Sequence, residues 1–146
     1  MSIRRWSGAA LLALFAIVIS GCAVNRSTAN VEPGSNLAAV KTIHVVRAPD
    51  DGRKVNDLIA ERLTQMGYAA STGESKRVDV DANMTYVDRW MWDLTMYMIE
   101  LTLILRDPAT DFPLARGNSF HTSLTRLSPK EMVQEVTANM FKDVKK

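Results

Sequence analysis

The chain has few of the residues from which most metal sites and nucleotide-binding enzymes are built. Its 146 residues include one cysteine, Cys22, and two histidines, His44 and His121. A lone cysteine has no partner for an internal disulfide, and neither histidine has a second histidine or a cysteine at ligand spacing. No G-x-G-x-x-G or phosphate-binding loop occurs among the seven glycines. We therefore expect no cofactor, no metal and no enzymatic activity.

The chain also carries no net charge once its first 21 residues are set aside. The whole chain has 18 basic and 16 acidic residues, and Arg4 and Arg5 lie in the first 21 residues, which contain no acid. The rest of the chain is therefore formally neutral, which removes the electrostatic argument for a nucleic-acid partner. The length fits one domain.

The N-terminus has the layout of a secretory signal peptide. A short basic region, residues 1–5, precedes an apolar run from Gly8 to Ile19 that ends in small residues. One alternative is an uncleaved membrane anchor, because the apolar stretch continued to Val24 approaches the roughly 18 to 20 residues that span a bilayer.

The end of the leader, Ile19-Ser20-Gly21-Cys22, resembles the lipobox of bacterial lipoprotein precursors. The resemblance implies cleavage before Cys22, a diacylglyceryl group on its sulfur and an acyl chain, such as palmitate, on its new amine. Two or three acyl chains would make the anchoring practically permanent. Ala23 after the cysteine, where aspartate would signal inner-membrane retention in that family, implies the periplasmic face of the outer membrane.

Composition divides the chain into three parts. We expect a cleaved signal peptide at 1–21, a lipidated cysteine with a flexible linker at 22–36, and a single periplasmic domain at 37–146. The linker is rich in Asn, Ser, Thr, Pro and Gly and has no periodic apolar pattern. As a coil it would span roughly 20 Å.

Hydrophobic periodicity predicts an α+β domain. Helices are expected after Asp50 or Asp51, ending at Gly67, and from Ser128, where Ser-Pro-Lys-Glu forms a capping box. Strands are predicted over 41–47, 77–87, 95–106 and 114–124, with 95–106 central and 114–124 outermost. The economical arrangement is a four-stranded mixed sheet in β-α-β-β-β-α order with two helices packed on one face.

Aromatic and methionine side chains concentrate between positions 86 and 98, which we call the aromatic segment. Its side chains could form an adaptable contact surface for a protein or acyl ligand. The residues of this candidate surface are Tyr86, Trp90, Trp92, Tyr97 and Met98, to which Met91 and Met96 could add. The alternative is a hairpin connection whose indole rings cover the end of the core.

Catalytic groupings are weak. Asp88 and Asp93 would suit acid–base chemistry only if they converged in a cleft. Ser119 and His121 share one parity on a predicted strand without a nucleophile turn, so their occurrence together with Asp111 fits chance composition. We assign no catalytic residue.

The mature part is similar to small α+β periplasmic accessory lipoproteins. The resemblance rests on the lipobox, the predicted element order and the W-x-W-D-x-x-x-Y pattern from Trp90 to Tyr97. It implies a non-enzymatic protein-binding accessory of envelope assembly or transport, held to the membrane through the lipid on Cys22. An alternative is a binding module for a lipid, lipopolysaccharide or glycan fragment, which would need a concave apolar pocket lined by Trp90, Trp92 and Tyr97.

Overall fold

A computed structural model describes residues 25–144, in which six strands form one mixed sheet. The strands are β1 (Asn25–Val31), β2 (Thr42–Val46), β3 (Ala69–Gly73), β4 (Ala82–Asp93), β5 (Thr95–Arg106) and β6 (Pro113–His121). The helices are α1 (Val55–Gln65) and α2 (Pro129–Met140), with short 3-10 turns at Leu37–Ala39 and Ser123–Thr125. The strand order across the sheet is β1-β6-β5-β4-β2-β3, with β2 parallel to β3 and β4 and the other pairs antiparallel.

The prediction of a four-stranded sheet in β-α-β-β-β-α order is wrong, because the sheet has six strands. The two missed strands, β1 and β3, are its edges. β1 occupies seven of the fifteen residues expected to form the lipidated cysteine and flexible linker, and it pairs with β6 along its whole length. Edge strands are held by backbone hydrogen bonds on one side, and their side chains need not alternate between apolar and polar. The α+β class remains appropriate.

The observed strands differ from the predicted strands in two further ways. β4 begins at Ala82 rather than position 77 and runs through the Trp-rich stretch to Asp93. β6 was expected to be outermost but lies inside the sheet, because β1 covers its free side. The prediction that residues 95–106 form an interior strand is confirmed.

The core lies between one face of the sheet and the two helices, which also contact each other. Along β5 the inward positions are Leu101, Leu103 and Leu105, all fully buried. β6 approaches α2 so closely at Gly117 that an added Cβ would come 2.7 Å from the Val136 side chain. Glycine is therefore required by packing there.

Local signals set the helix ends. The capping box of α2 is confirmed, with the Ser128 hydroxyl accepting from the Glu131 N–H and the Glu131 carboxylate accepting from the Ser128 N–H. Gly67 ends α1 in a left-handed conformation, as expected. None of the helices within residues 25–144 has both the length and the apolar content needed to cross a bilayer.

Candidate functional site

The β4–β5 hairpin extends beyond the neighbouring strands. β6 pairs with β5 only as far as Glu100, so the first residues of β5 pair with β4 alone. A register shift between Arg89 and Trp90 accommodates one extra residue on β5. The four residues of β4 after Arg89 carry the hairpin about 13 Å past the level of Glu100.

The hairpin tip, residues 91–96, is apolar and exposed. Leu94 is 90% exposed and Trp92 71%, while Met91 and Met96 are about half exposed. Leu94 sits at the turn with φ +58°, in the left-handed region that favours glycine or asparagine. The Leu94 side chain is therefore exposed to water, and its backbone adopts a conformation that is unfavourable for leucine.

Trp90 lies behind the tip and closes one end of the core. Its ring is half-buried and packs against the core cluster, and its indole N–H donates to the Asp88 carboxylate. The guanidinium of Arg53 lies 4.2 Å from the ring centroid on the solvent side. Trp90 thus acts as a cover for the core.

Tyr97 and Met98 are buried. Met98 is fully enclosed in the core. Tyr97 lies beneath the guanidinium of Arg126, which is 4.6 Å from the ring centroid and also reaches the Thr95 hydroxyl at 2.9 Å and the Asp93 carboxylate at 3.6 Å. These contacts fix the loop after β6 against the hairpin.

Tyr86 is a buried link between β4 and the loop before α1. Its hydroxyl donates to the Asp51 carboxylate at 2.6 Å and accepts from the Ala48 N–H at 3.0 Å. Burial disfavours the charged form of Asp51, but hydrogen bonds from Tyr86 and from the backbone N–H groups of Asn56 and Arg53 outweigh it and lower the pKa of the carboxyl. Burial and the nearby carboxylate raise the pKa of Tyr86.

The structure thus divides the candidate contact surface. Tyr86, Tyr97 and Met98 are buried, Trp90 is half-buried and Trp92 is exposed. Met91 and Met96, which were also expected to contribute to this surface, are exposed, whereas sequence reasoning missed Leu94, which is 90% exposed. No local pattern could have identified Leu94, because its exposure depends on where the neighbouring strands end.

The two acidic residues of the aromatic segment do not form a carboxylate pair. Asp88 and Asp93 are five residues apart on β4, so strand alternation directs them to opposite faces. Asp88 accepts from the Trp90 indole, and Asp93 pairs with Arg126. The arrangement offers no shared cleft for acid–base chemistry.

A buried polar cluster lies between β6 and α2. The Ser119 hydroxyl donates to Glu135 Oε2 at 2.5 Å, and His121 Nε2 lies 2.9 Å from the same oxygen. His121 Nδ1 faces the Thr125 carbonyl oxygen at 2.9 Å. Hydrogen bonds from the serine and the histidine lower the pKa of Glu135 despite its burial. Both ring nitrogens of His121 face other acceptors, so neither is directed at Ser119 as a general base would be.

The remaining sequence-level candidates lie apart from these groups. Asp111 is in the turn before β6, where it pairs with Lys76 at 2.7 Å and with Arg106 at 3.9 Å. Within residues 25–144, no group of three or more His, Cys, Asp or Glu residues is arranged to hold a metal ion. Cys22, the predicted lipobox and the predicted signal peptide lie outside the described residues.

A groove of about 430 Å³ opens beside the edge strand β1. It lies between the C-terminal end of β1, the turn that follows and the end of α2, and Val31, Leu37 and Met140 are among its lining residues. None of the aromatic-segment residues lines it. The groove is therefore not the tryptophan-lined pocket that a glycan or lipid module would need.

Comparisons with solved structures give a fold likeness at low sequence identity. The PelC dodecamer from Paraburkholderia phytofirmans is 12% identical with a TM-score of 0.59, covering 80% of this chain and 98% of that one. A variant of the same PelC protein is 14% identical with a TM-score of 0.56, covering 80% and 96%. A PDZ domain protein from Parabacteroides distasonis is 11% identical with a TM-score of 0.49, covering 93% of this chain and 40% of that one. No protein-family model and no curated protein matches the sequence. The chain therefore shares a fold with PelC.

Proposed function

We propose that this protein is a lipid-anchored accessory of the bacterial envelope that works by binding a protein partner rather than by catalysis. The observation that carries the proposal is the lipobox at residues 19–22, placed directly before a folded domain that begins with β1 at Asn25. Acylation of Cys22 would hold the domain at the periplasmic face of the outer membrane.

The sheet offers two edges to a protein partner. Within residues 25–144, the outer sides of β1 and β3 are not paired with another strand. A strand added to either edge would be recognised mainly through backbone N–H and C=O groups, which requires no side-chain motif. The solved PelC structure is described as a dodecamer, which supports a second copy of this chain as one such partner.

The polar chemistry of the domain favours binding over catalysis. The buried acid Asp51 is held by Tyr86 and backbone N–H groups, and Glu135 is held by Ser119 and His121. Each carboxylate therefore joins parts of the fold: Asp51 links β4 to the start of α1, and Glu135 links α2 to β6. The geometry does not favour the lipid or glycan alternative, because Trp90 and Tyr97 lie under arginine side chains while Trp92 stands on a projecting tip.

Two measurements test the proposal. Alkyne fatty-acid labelling in cells is expected on the wild-type chain and absent from Cys22→Ser. Equal labelling of both would refute the anchor.

A photo-crosslinking residue placed at Thr28 on β1 or at Thr72 on β3 is expected to capture a specific protein in intact cells. The control position is Val78, which is exposed on a loop. The same adducts from Val78 as from the edge positions would refute edge binding.

A further inference from the structure

The start of β1 and the hairpin tip lie at the same end of the sheet. β1 is antiparallel to β6, and β6 is antiparallel to β5, so β1 and β5 run in the same direction. Arg26 is level with Phe120, which is level with Glu100. Since the hairpin continues about 13 Å past Glu100, its tip lies about 10 Å past Asn25 along the strand direction.

The tether between the proposed anchor and the sheet is short. Cys22 and Asn25 are three residues apart, and such a segment spans at most about 11 Å when fully extended. A linker continuing to position 36 would have let the domain sit well away from the lipid, but pairing of β1 with β6 uses that segment. With the strands perpendicular to the membrane, a fully extended tether therefore places Cys22 at about the same depth as the hairpin tip.

The part of the hairpin that reaches this depth is apolar. Four exposed apolar side chains lie within the six residues of the tip: Met91, Trp92, Leu94 and Met96. Leu124 is also exposed, in the 3-10 turn that follows β6 at the same end. At the opposite end, the exposed apolar side chains are Val31 on β1 and Val78 and Phe112 on two loops. A compact apolar tip carrying a tryptophan suits the boundary between headgroups and acyl chains.

Charged side chains also lie at this end of the sheet. Asp93, within the tip, pairs with Arg126 at 3.6 Å, and Glu100 pairs with Arg89 at 3.1 Å. The guanidinium groups of Arg53 and Arg26 lie over the rings of Trp90 and Phe120. Neutral lipid vesicles therefore isolate the contribution of apolar burial from that of lipid charge.

The backbone conformation of Leu94 is a second observation that points to a binding role for the tip, independent of its position in the sheet. Its left-handed backbone would be better served by glycine, and its side chain is almost fully exposed, so the leucine contributes nothing to the fold that glycine would not. The Leu94 side chain can gain burial only from something outside this domain.

We propose that the hairpin tip inserts into the same membrane leaflet that holds the acyl chains on Cys22. The inference rests on the proposed lipidation of that cysteine. Together the anchor and the tip orient the sheet with its strands upright on the membrane, which leaves the β1 and β3 edges available to partners.

Quenching of tryptophan fluorescence tests the insertion. The processed, lipidated protein is purified from cells and reconstituted in phosphatidylcholine vesicles with or without bromine on the acyl chains. Past the predicted signal peptide the tryptophans are Trp90 and Trp92. Brominated lipid is expected to quench the wild-type protein and Trp90→Phe, whereas Trp92→Phe loses most of the quenching. The effect should persist at high salt.

A second variant separates insertion from folding. Leu94→Gly suits the left-handed backbone, so its thermal midpoint should equal or exceed that of the wild type, while the ratio of inserted to withdrawn hairpin falls about tenfold. The control, Val78→Gly, removes an equally exposed side chain from the opposite end and should leave the quenching unchanged.

The outcomes distinguish this inference from the proposed function. A labelled Cys22 with unquenched Trp92 would overturn insertion and leave the anchor intact, whereas an unlabelled Cys22 would overturn both. A specific protein adduct from a crosslinker at Trp92, without lipid quenching, would make the tip a protein contact and also overturn the inference.

Discussion

Replacing Tyr86 with phenylalanine removes one hydroxyl that joins two parts of the fold. The hydroxyl donates to the Asp51 carboxylate at 2.6 Å and accepts from the Ala48 N–H at 3.0 Å, while the ring remains able to pack as before. Tyr86→Phe therefore tests the hydrogen bonds without opening a cavity.

The expected loss is about 2 kcal/mol of unfolding free energy. A hydrogen bond to a charged group contributes about 1.5 to 3 kcal/mol, and the Ala48 N–H also loses its acceptor. The Asp51 carboxylate keeps the N–H groups of Arg53 and Asn56, which prevents a larger loss. For a domain of this size the thermal midpoint should fall by roughly 8 °C.

The loss should depend on pH in a defined direction. The pKa of Asp51 is lowered in the folded state, so its contribution is complete above the unfolded value near 3.9 and disappears as the pH falls through the folded value. Without the Tyr86 hydroxyl the folded pKa rises. The difference between wild type and variant is therefore largest near neutral pH and shrinks on acidification.

Urea unfolding followed by circular dichroism, repeated from neutral to acid pH, measures these differences. The matched control is Tyr97→Phe, because Tyr97 is also buried but its ring face is what contacts Arg126. A Tyr86→Phe variant within about 0.5 kcal/mol of the wild type at neutral pH would refute the reasoning, since typical surface changes are of that size. A difference that grew on acidification would contradict the assigned role of Asp51.

Three further predictions concern α2 and its contacts. Gly117→Ala should destabilise the fold by about 1 to 3 kcal/mol in urea unfolding, because the added methyl meets Met140 and Val136; an unchanged midpoint would show that α2 can shift outward. Glu135→Gln should lower stability at neutral pH, and the difference should shrink as the pH falls below the unfolded glutamate value near 4.3 and through the lower folded pKa of Glu135, where its contribution is lost; a pH-independent difference would contradict this. Ser128→Ala should cost about 1 kcal/mol through the lost helix cap, and thermal denaturation equal to that of Lys130→Ala would refute the capping assignment.

Several features followed from the sequence because their causes are local. The capping box at Ser128 and the left-handed Gly67 depend on hydrogen bonds and backbone angles within one turn of a helix. The interior position of β5 followed from apolar residues on both of its faces. The lipobox is also a local pattern, and the lipidation that it implies stays a prediction.

Sequence reasoning alone could not locate the edge strands. β1 and β3 consist largely of small and polar residues, and they are strands because β6 and β2 offer them free backbone groups. β1 also changes the length of the proposed tether, because the sheet begins at Asn25, three positions after Cys22.

What the sequence determined by itself is therefore the kind of segment present: an apolar N-terminal run followed by a sequence that resembles a lipobox, two amphipathic helices, a buried strand and a run of aromatic residues. Tertiary structure alone decided which of those aromatic residues meet water. Tyr97 and Trp92 lie five residues apart in the same hairpin, yet one is covered by Arg126 and the other is exposed. The physical reason is that exposure depends on the length and position of neighbouring strands and loops, which local sequence does not encode.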